Sequence, residues 1–436
     1  MSPAEIGALC IVVVLILMAL EVPIAVAMAM VGFVGFAFVV SLDGAYNVIA
    51  KDLFNTFNSY TMSMLVMFVM MGYFAFHAGI GSQLYQFANK TLGYIPGGVA
   101  MANEVACALF GAVCGSSTAT AATMGSIALP EMRKIGYSDS LATASVAAGG
   151  TLAILIPPSV IFVLYGIATE QSIGSLFMAG IFPGVMLTLL FIAAIYITVK
   201  RKPHLAPRQE GRPQIKEIIH SLRGGLIETL LIFGLSLGGL FAGWFTPTEA
   251  GAVGAAGVFT IGVVERRLGY KEIRRALADT TRTSAMILML IAGATIFGRL
   301  IAVSRIPYEL AEGLGAMTVP AWTIMLLILL IHLILGMFID AMAMILLTIP
   351  IFYPLAVDKL GYDPIWFGVI IVFVAAMGVI TPPVGINVYV VEGVANGVRT
   401  PTIFKGVWPF LAAIVVASLL LMIFPQIATW LPYALD

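Results

Sequence analysis

Two apolar runs too short to cross a bilayer, followed by a longer apolar segment broken at a Pro-Pro pair, constrain this chain more than any other feature. The first run is Gly97–Ala112, and a second returns as far as Pro130 after the turn Gly115-Ser116-Ser117-Thr118. A transmembrane helix needs about 20 apolar residues, so each run falls short alone and the pair is expected to form a re-entrant helical hairpin. From Leu141 an apolar segment follows, interrupted at Gly149-Gly150-Thr151 and at Pro157-Pro158. Irregular backbone at membrane depth is tolerated only where protein buries it or where it lines a cavity. Paired interruptions of this kind point to the binding site of a secondary transporter.

The pattern recurs along the chain. Lys134-Ile135-Gly136-Tyr137 has its counterpart in Lys359-Leu360-Gly361-Tyr362, and Pro157-Pro158 in Pro382-Pro383, with 359 − 134 = 225 and 382 − 157 = 225. A second pair of short runs meets at Gly336-Met337-Phe338-Ile339-Asp340, before a segment interrupted at Gly378 and Thr381-Pro382-Pro383. The expected fold is an all-α polytopic membrane protein with two repeats, residues 1–199 and 225–436, joined by a basic cytoplasmic linker at 200–224. The hairpins are expected at 97–131 and 320–355, and the broken helices at 138–168 and 364–395. Three crossings, a hairpin, a broken crossing and a last crossing make five crossings per half. An odd number inverts the second half relative to the first.

Basic residues orient the chain. With the linker in the cytoplasm, Lys90, Arg133, Lys134, the basic residues of 200–223 and 266–282, Arg399 and Lys405 fall inside, against Lys51, Arg305 and Lys359 outside. Both termini are then periplasmic. The first hairpin opens to the cytoplasm, the second to the periplasm, and their tips meet near the midplane.

Composition excludes other classes. The 436 residues are 61% hydrophobic and 10% charged, with zero net charge, whereas a soluble domain carries about 25% charged residues. No phosphate-binding loop, dinucleotide fingerprint, zinc-protease motif or basic nucleic-acid stripe is present, so energy for transport must come from an ion gradient or a partner. Met1–Glu5 lacks the basic start of a cleavable signal peptide. Cys10, Cys107 and Cys114 lie in apolar surroundings without paired spacing, which suits small core residues better than metal or redox ligands.

The interruptions supply the chemistry. Ser116, Ser117 and Thr118 offer hydroxyls, while Gly149, Gly150 and the turn before Pro157 offer carbonyls freed by the missing proline donors. Neutral oxygens at a hairpin tip suit a hard cation such as Na⁺; equally, small residues there permit close helix packing. Asp340 admits two compatible readings, an ion site with Gly336, Gly378 and Thr381, or an amino-terminal cap for the second arm. Arg299 either snorkels to the interface or a partner subunit, or meets an anionic substrate. His77 and His332 suit packing, and Glu249 suits a helix cap.

Four stretches resemble one family: Gly111–Pro130 with its GSSTAT, TPTEAGAVGA at Thr246–Ala255, GMFIDAMAMILLTIPIFYP at Gly336–Pro354, and MGVITPPVGINVYV at Met377–Val390. In this order they are similar to the large membrane subunit of tripartite ATP-independent periplasmic (TRAP) transporters, over essentially the whole chain. The resemblance implies a sodium-driven elevator importer of organic acids, typically C4-dicarboxylates or sialic acids, in the bacterial inner membrane. It implies two partners, a small four-helix membrane subunit and a periplasmic substrate-binding protein. With no fused amino-terminal extension in this sequence, the small subunit is expected to be separate. Carried over by motif, one sodium site uses Ser116, Ser117, Thr118, Gly149, Gly150 and the carbonyls before Pro157, and the other uses Gly336, Asp340, Gly378 and Thr381. The small organic anion lies between the tips, near Ser117 and Asn387, with Arg299 a further candidate. Two other readings stand beside this one: a stand-alone sodium/dicarboxylate symporter, and an intramembrane hydrolase using Ser116, or Asp340 with Glu104.

Overall fold

The computed structural model describes residues 1–207, 226–315 and 319–435. The linker residues Arg208, Arg212, Lys216 and Arg223 lie outside the described residues. Helices account for most of the described backbone, and no strand occurs among the described residues.

The first half runs α1 (Pro3–Ala19), α2 (Ile24–Val39), α3 (Leu42–Phe57), α4 (Tyr60–His77) and α5 (Ile80–Leu92). A hairpin of α6 (Gly98–Cys114) and α7 (Ser117–Ile135) follows, then α8 (Asp139–Leu152) and α9 (Val160–Thr169) as two parts of a broken helix, and α10 (Ile173–Arg201). Among the described residues, the second half has four helices ahead of its hairpin where the first half has five. The four are α11 (Leu226–Phe241), α12 (Pro247–Val264), α13 (Tyr270–Ser304) and α14 (Ile306–Gly315). A second hairpin of α15 (Ala321–Gly336) and α16 (Ala341–Tyr353) leads to α17 (Pro364–Gly378), α18 (Ile386–Val394), α19 (Thr400–Ile423) and α20 (Gln426–Leu435).

Local signals place these boundaries. Ser2 and Glu5 form a reciprocal capping box at α1, and Thr246 and Glu249 form another at α12. That is the cap expected for Glu249. Asp363 caps α17 with Pro364 in the first turn, and Gly136 in the left-handed region closes α7. Among the described residues, six helices are long and apolar enough to cross a membrane: α4, α10, α12, α13, α16 with its continuation to Lys359, and α19. The arms α6 and α15, with 17 and 16 residues, are shorter apolar helices.

One expectation needs correction, beside two features of the shell. The polar stretch Ser41–Asn58 does not run as a loop. It folds as α3, whose first turn the Ser41 hydroxyl caps by accepting from the Gly44 amide at 3.0 Å. In the second half, the basic stretch and the crossing after it fuse into α13, one helix of 35 residues. The first break starts later than expected. Gly149, Gly150 and Thr151 remain helical within α8, because surrounding tertiary contacts hold their turn together, and the irregular segment is 153–159.

Packing separates an inner group from a shell. Nearly every residue of α8 and α17 is buried, as expected of helices apolar on all faces. Around them pack α6, α7, α9, α10, α15, α16, α18 and α19. On the other side, α13 crosses α2 so closely that a Cβ on Gly32 would stand 2.8 Å from the Phe297 amide nitrogen. Small residues permit such backbone approach in a membrane. Cys10, Cys107 and Cys114 are buried and unbridged.

Arg299 takes a partner that neither expectation named. Its Nε and Nη2 donate to the Asp52 carboxylate on α3 at 2.9 and 3.2 Å, a two-point ion pair. Asp52 is the buried member, 6% exposed against 59% for the arginine. Arg299→Met strands that carboxylate and is expected to cost about 1–3 kcal/mol of stability. The double variant Arg299→Met/Asp52→Leu should regain most of it, because no buried charge is left unpaired. Melting temperatures of the purified variants check this; equal losses in the single and double variants would mean that the pair does not brace the fold.

Candidate functional site

The first hairpin tip is shaped by backbone constraints. Gly115 ends α6 at φ +62°, and a Cβ there would lie 2.7 Å from the Pro158 carbonyl oxygen. Only glycine combines that left-handed turn with so close a seat against the break. The Pro157-Pro158 bond is cis, as is its counterpart Pro382-Pro383. Ser116 then caps α7, its hydroxyl accepting from the Ala119 amide at 3.4 Å and standing 3.5 Å from that of Thr118.

Ser116 and Ser117, adjacent in sequence, serve different neighbours. Ser117 is buried, and its Oγ lies 2.7 Å from Nδ2 and 3.0 Å from Oδ1 of Asn387, at the start of α18 in the other half. Asn387 is fully buried, and its Nδ2 also donates to the Ala147 carbonyl of α8 at 3.0 Å. Gly150 completes the contact: a Cβ there would be 2.9 Å from the Ser117 carbonyl oxygen and 3.0 Å from Asn387 Nδ2. Ser117, Gly150, Asn387 and the Ala147 carbonyl thus form one buried oxygen-rich junction between the halves. Both Nδ2 hydrogens are engaged, and Oδ1, which accepts from the Ser117 hydroxyl, keeps one lone pair.

Other expected residues fall nearby with different contacts. Gly149 turns to α6, where a Cβ would approach Cys107, Glu104 and Asn103. Pro157 is buried at the break. The carbonyls before it are not all free, since Ile154 accepts from the Ser159 hydroxyl at 2.6 Å.

At the second tip, Gly336 and Gly378 touch backbone to backbone, and a Cβ on Gly378 would lie 2.6 Å from the Gly336 carbonyl carbon. The Gly385 amide donates to the Met337 carbonyl at 3.4 Å, and Thr381 Oγ1 to Met377 at 2.6 Å. Asp340 caps α16 by accepting from the Met342 amide at 2.9 Å. The tip and the break of the second half are therefore together, as expected. Arg299 is instead committed to Asp52.

The hydrolase reading finds no assembled machinery in these contacts. Ser116 caps a helix, His77 pairs with Asp279 at 2.9 Å and His332 bonds the Ile328 carbonyl at 2.7 Å. Glu104 packs by Asn103, Cys107 and Gly149, whereas Asp340 caps α16.

A cleft opens beside the first tip. Ser116 lines it together with Tyr73 of α4, Thr283 and Ile287 of α13, and Met342 of α16. Tyr73 and Thr283 join their hydroxyls across it at 2.7 Å. Neither residue stood out in the sequence, because each is one hydroxyl in a long apolar helix and only folding brings α4 and α13 to the tip.

Comparison with known proteins follows the same lines. Residues 11–427 match the family model described as tripartite ATP-independent periplasmic transporter, DctM component. The chain is 36% identical over 387 residues to the C4-dicarboxylate TRAP transporter large permease protein DctM of Pseudomonas aeruginosa, covering 88% of this chain and 89% of that one. It is 32% identical to the sialic acid TRAP transporter large permease protein SiaM of Vibrio cholerae, covering 92% and 93%. The isethionate TRAP transporter permease protein DctMQ of Oleidesulfovibrio alaskensis is 34% identical, with 59% of its length matched. In fold, the YdaH transporter of Alcanivorax borkumensis superposes with a TM-score of 0.64 at 16% identity, covering 89% of this chain and 90% of that one. The chain therefore belongs to the DctM family, the large permease component of tripartite ATP-independent periplasmic transporters, and is a multi-pass membrane transport protein.

Proposed function

We propose that this chain is the transport subunit of a sodium-driven, binding-protein-dependent importer of small organic acids in the bacterial inner membrane. The observation that carries the reading is the buried junction of Ser117, Gly150, the Ala147 carbonyl and Asn387. Neutral oxygens from a hairpin tip, a neighbouring helix and the opposite half suit a hard monovalent cation, which prefers oxygen donors. Filling this site ties the first tip to both halves, while Gly336, Gly378, Thr381 and Asp340 form the corresponding second site. Sodium binding then favours closed tips, so the gradient loads the substrate site from outside.

The hairpin followed by a broken helix in each half and the distribution of basic residues support an inverted repeat with both termini periplasmic. The buried group around α8 and α17 would move as one body against α2, α4, α12 and α13, an elevator form of alternating access. The TRAP relatives support two partners, a small four-helix membrane subunit and a periplasmic binding protein.

Uptake in proteoliposomes tests this. The chain is reconstituted with its small subunit, and radiolabelled organic acids are offered with and without sodium and the binding protein. Uptake requiring both is expected. Sodium-driven uptake indifferent to the binding protein would place the chain with stand-alone symporters, and uptake without sodium would remove the coupling ion from the reading.

A further inference from the structure

The three helices that build the buried junction are tied together again at their other ends. Ser117 opens α7, Ala147 lies in the second half of α8, and Asn387 stands in the first turn of α18. Where α7 ends, α8 begins and α18 ends, one side chain reaches all three. Arg133, in the last turn of α7, donates from Nε to the carboxylate of Asp139, in the first turn of α8, at 2.8 Å. Its Nη2 donates to the carbonyl of Ala395, which closes α18, and to that of Asn396 at 3.3 Å.

These bonds answer a need of the backbone. A helix leaves its last carbonyls without intrahelical donors, and Ala395 is fully buried. A guanidinium brings forked donors, and positive charge where the helix end is negative. Between the two ties α7 and α18 lie side by side: a Cβ on Gly125 would stand 2.7 Å from a Val394 methyl carbon. α18 itself has nine residues, about two and a half turns, with irregular chain on either side. A helix so short and so loosely connected takes its register along α7 from what grips its ends.

Resting on the sodium reading above, we propose that Arg133 is a positioning residue for the sodium junction. It fixes the register of α18 along α7, and so the seat of Asn387 on Ser117, from the far end of α18, about 12 Å along the helix axis. Arg133 itself touches neither ion nor substrate. By sequence it marked only the cytoplasmic side of the membrane, because its carbonyl partners stand 262 and 263 positions away.

Uptake by the chain reconstituted with its small subunit and binding protein is titrated with sodium, beside melting temperatures of the same proteins. Arg133→Gln is expected to raise the half-maximal sodium concentration about fivefold, a part of the loss that follows removal of hydrogen bonds from a charged donor. Arg133→Lys, which keeps the charge without the fork, should fall between. An arginine that only braced the fold would lower the melting temperature and the maximal rate and leave the half-maximal concentration where it was. Cysteines at the contact between α7 and α18 give a second reading. Oxidation of Gly125→Cys/Val394→Cys should bridge the two helices, more slowly once Arg133→Gln is added. The completed bridge should return sodium half-saturation to that of the bridged protein with Arg133 intact, because it replaces the lost tie.

Sodium half-saturation unchanged in Arg133→Gln would overturn the proposal. So would a bridge that leaves a raised value raised. Uptake by the unaltered chain that ignores sodium would overturn the sodium reading by itself. The rate of bridge formation then still decides the clamp, and an equal rate with arginine or glutamine at position 133 would overturn it, so the two fail separately.

Discussion

Asn387→Ala is expected to raise the sodium concentration for half-maximal uptake about tenfold or more. The side chain is fully buried and joins the first tip to α8 from the opposite half. Truncating it leaves the Ser117 hydroxyl without its partner, and removes an oxygen from the junction. A stranded buried polar group costs about 1–3 kcal/mol, and about 1.4 kcal/mol is a factor of ten in affinity. Sodium titrations of uptake, at matched amounts of reconstituted protein, provide the measurement. Ser117→Ala should move the same parameter in the same direction by a smaller factor. An unchanged sodium dependence in Asn387→Ala, with only the maximal rate lowered, would make the junction a structural clasp instead of an ion site.

The other large effect is expected at the second tip. Gly378→Ala places a methyl group 2.6 Å from the Gly336 carbonyl carbon and 2.8 Å from its Cα and carbonyl oxygen. These are backbone atoms, so no side-chain rotation relieves the overlap, and the tip must move away from α17. Overpacking of this kind costs about 1–3 kcal/mol. The variant should melt lower than the unaltered protein and lose most sodium-coupled uptake, since the proposed second sodium site is built on that contact. Gly393→Ala in α18 is the control: nothing stands within 4 Å of its added methyl, and alanine also suits a helix better than glycine. Uptake by Gly378→Ala equal to that of Gly393→Ala would show that the tip need not sit against the break.

Both predictions rest on features of unequal legibility. The glycines at 336 and 378 stood out because each interrupts an apolar run, and the matching tips and Pro-Pro breaks announced that they belong together. Ser117 stood out for the same reason. Asn387 was legible only as a polar residue after the second break, placed near the substrate; its bonds to Ser117 and Ala147 cross 270 and 240 positions of sequence. Arg299 was conspicuous as a charge in an apolar helix, yet its partner Asp52 sat in a polar stretch that gave no sign of folding back onto it.

Sequence alone determined the class of the protein and the position of both hairpins and both Pro-Pro interruptions. Those depend on local properties, namely the length of apolar runs, capping residues and the missing donors of proline, and lipid leaves few ways to satisfy a backbone. Tertiary structure alone decided which oxygen atoms converge, which way Ser116 and Ser117 face, and which charges pair. One residue of helix turns a side chain by about 100°, so neighbours in sequence serve different sites according to how the helices pack.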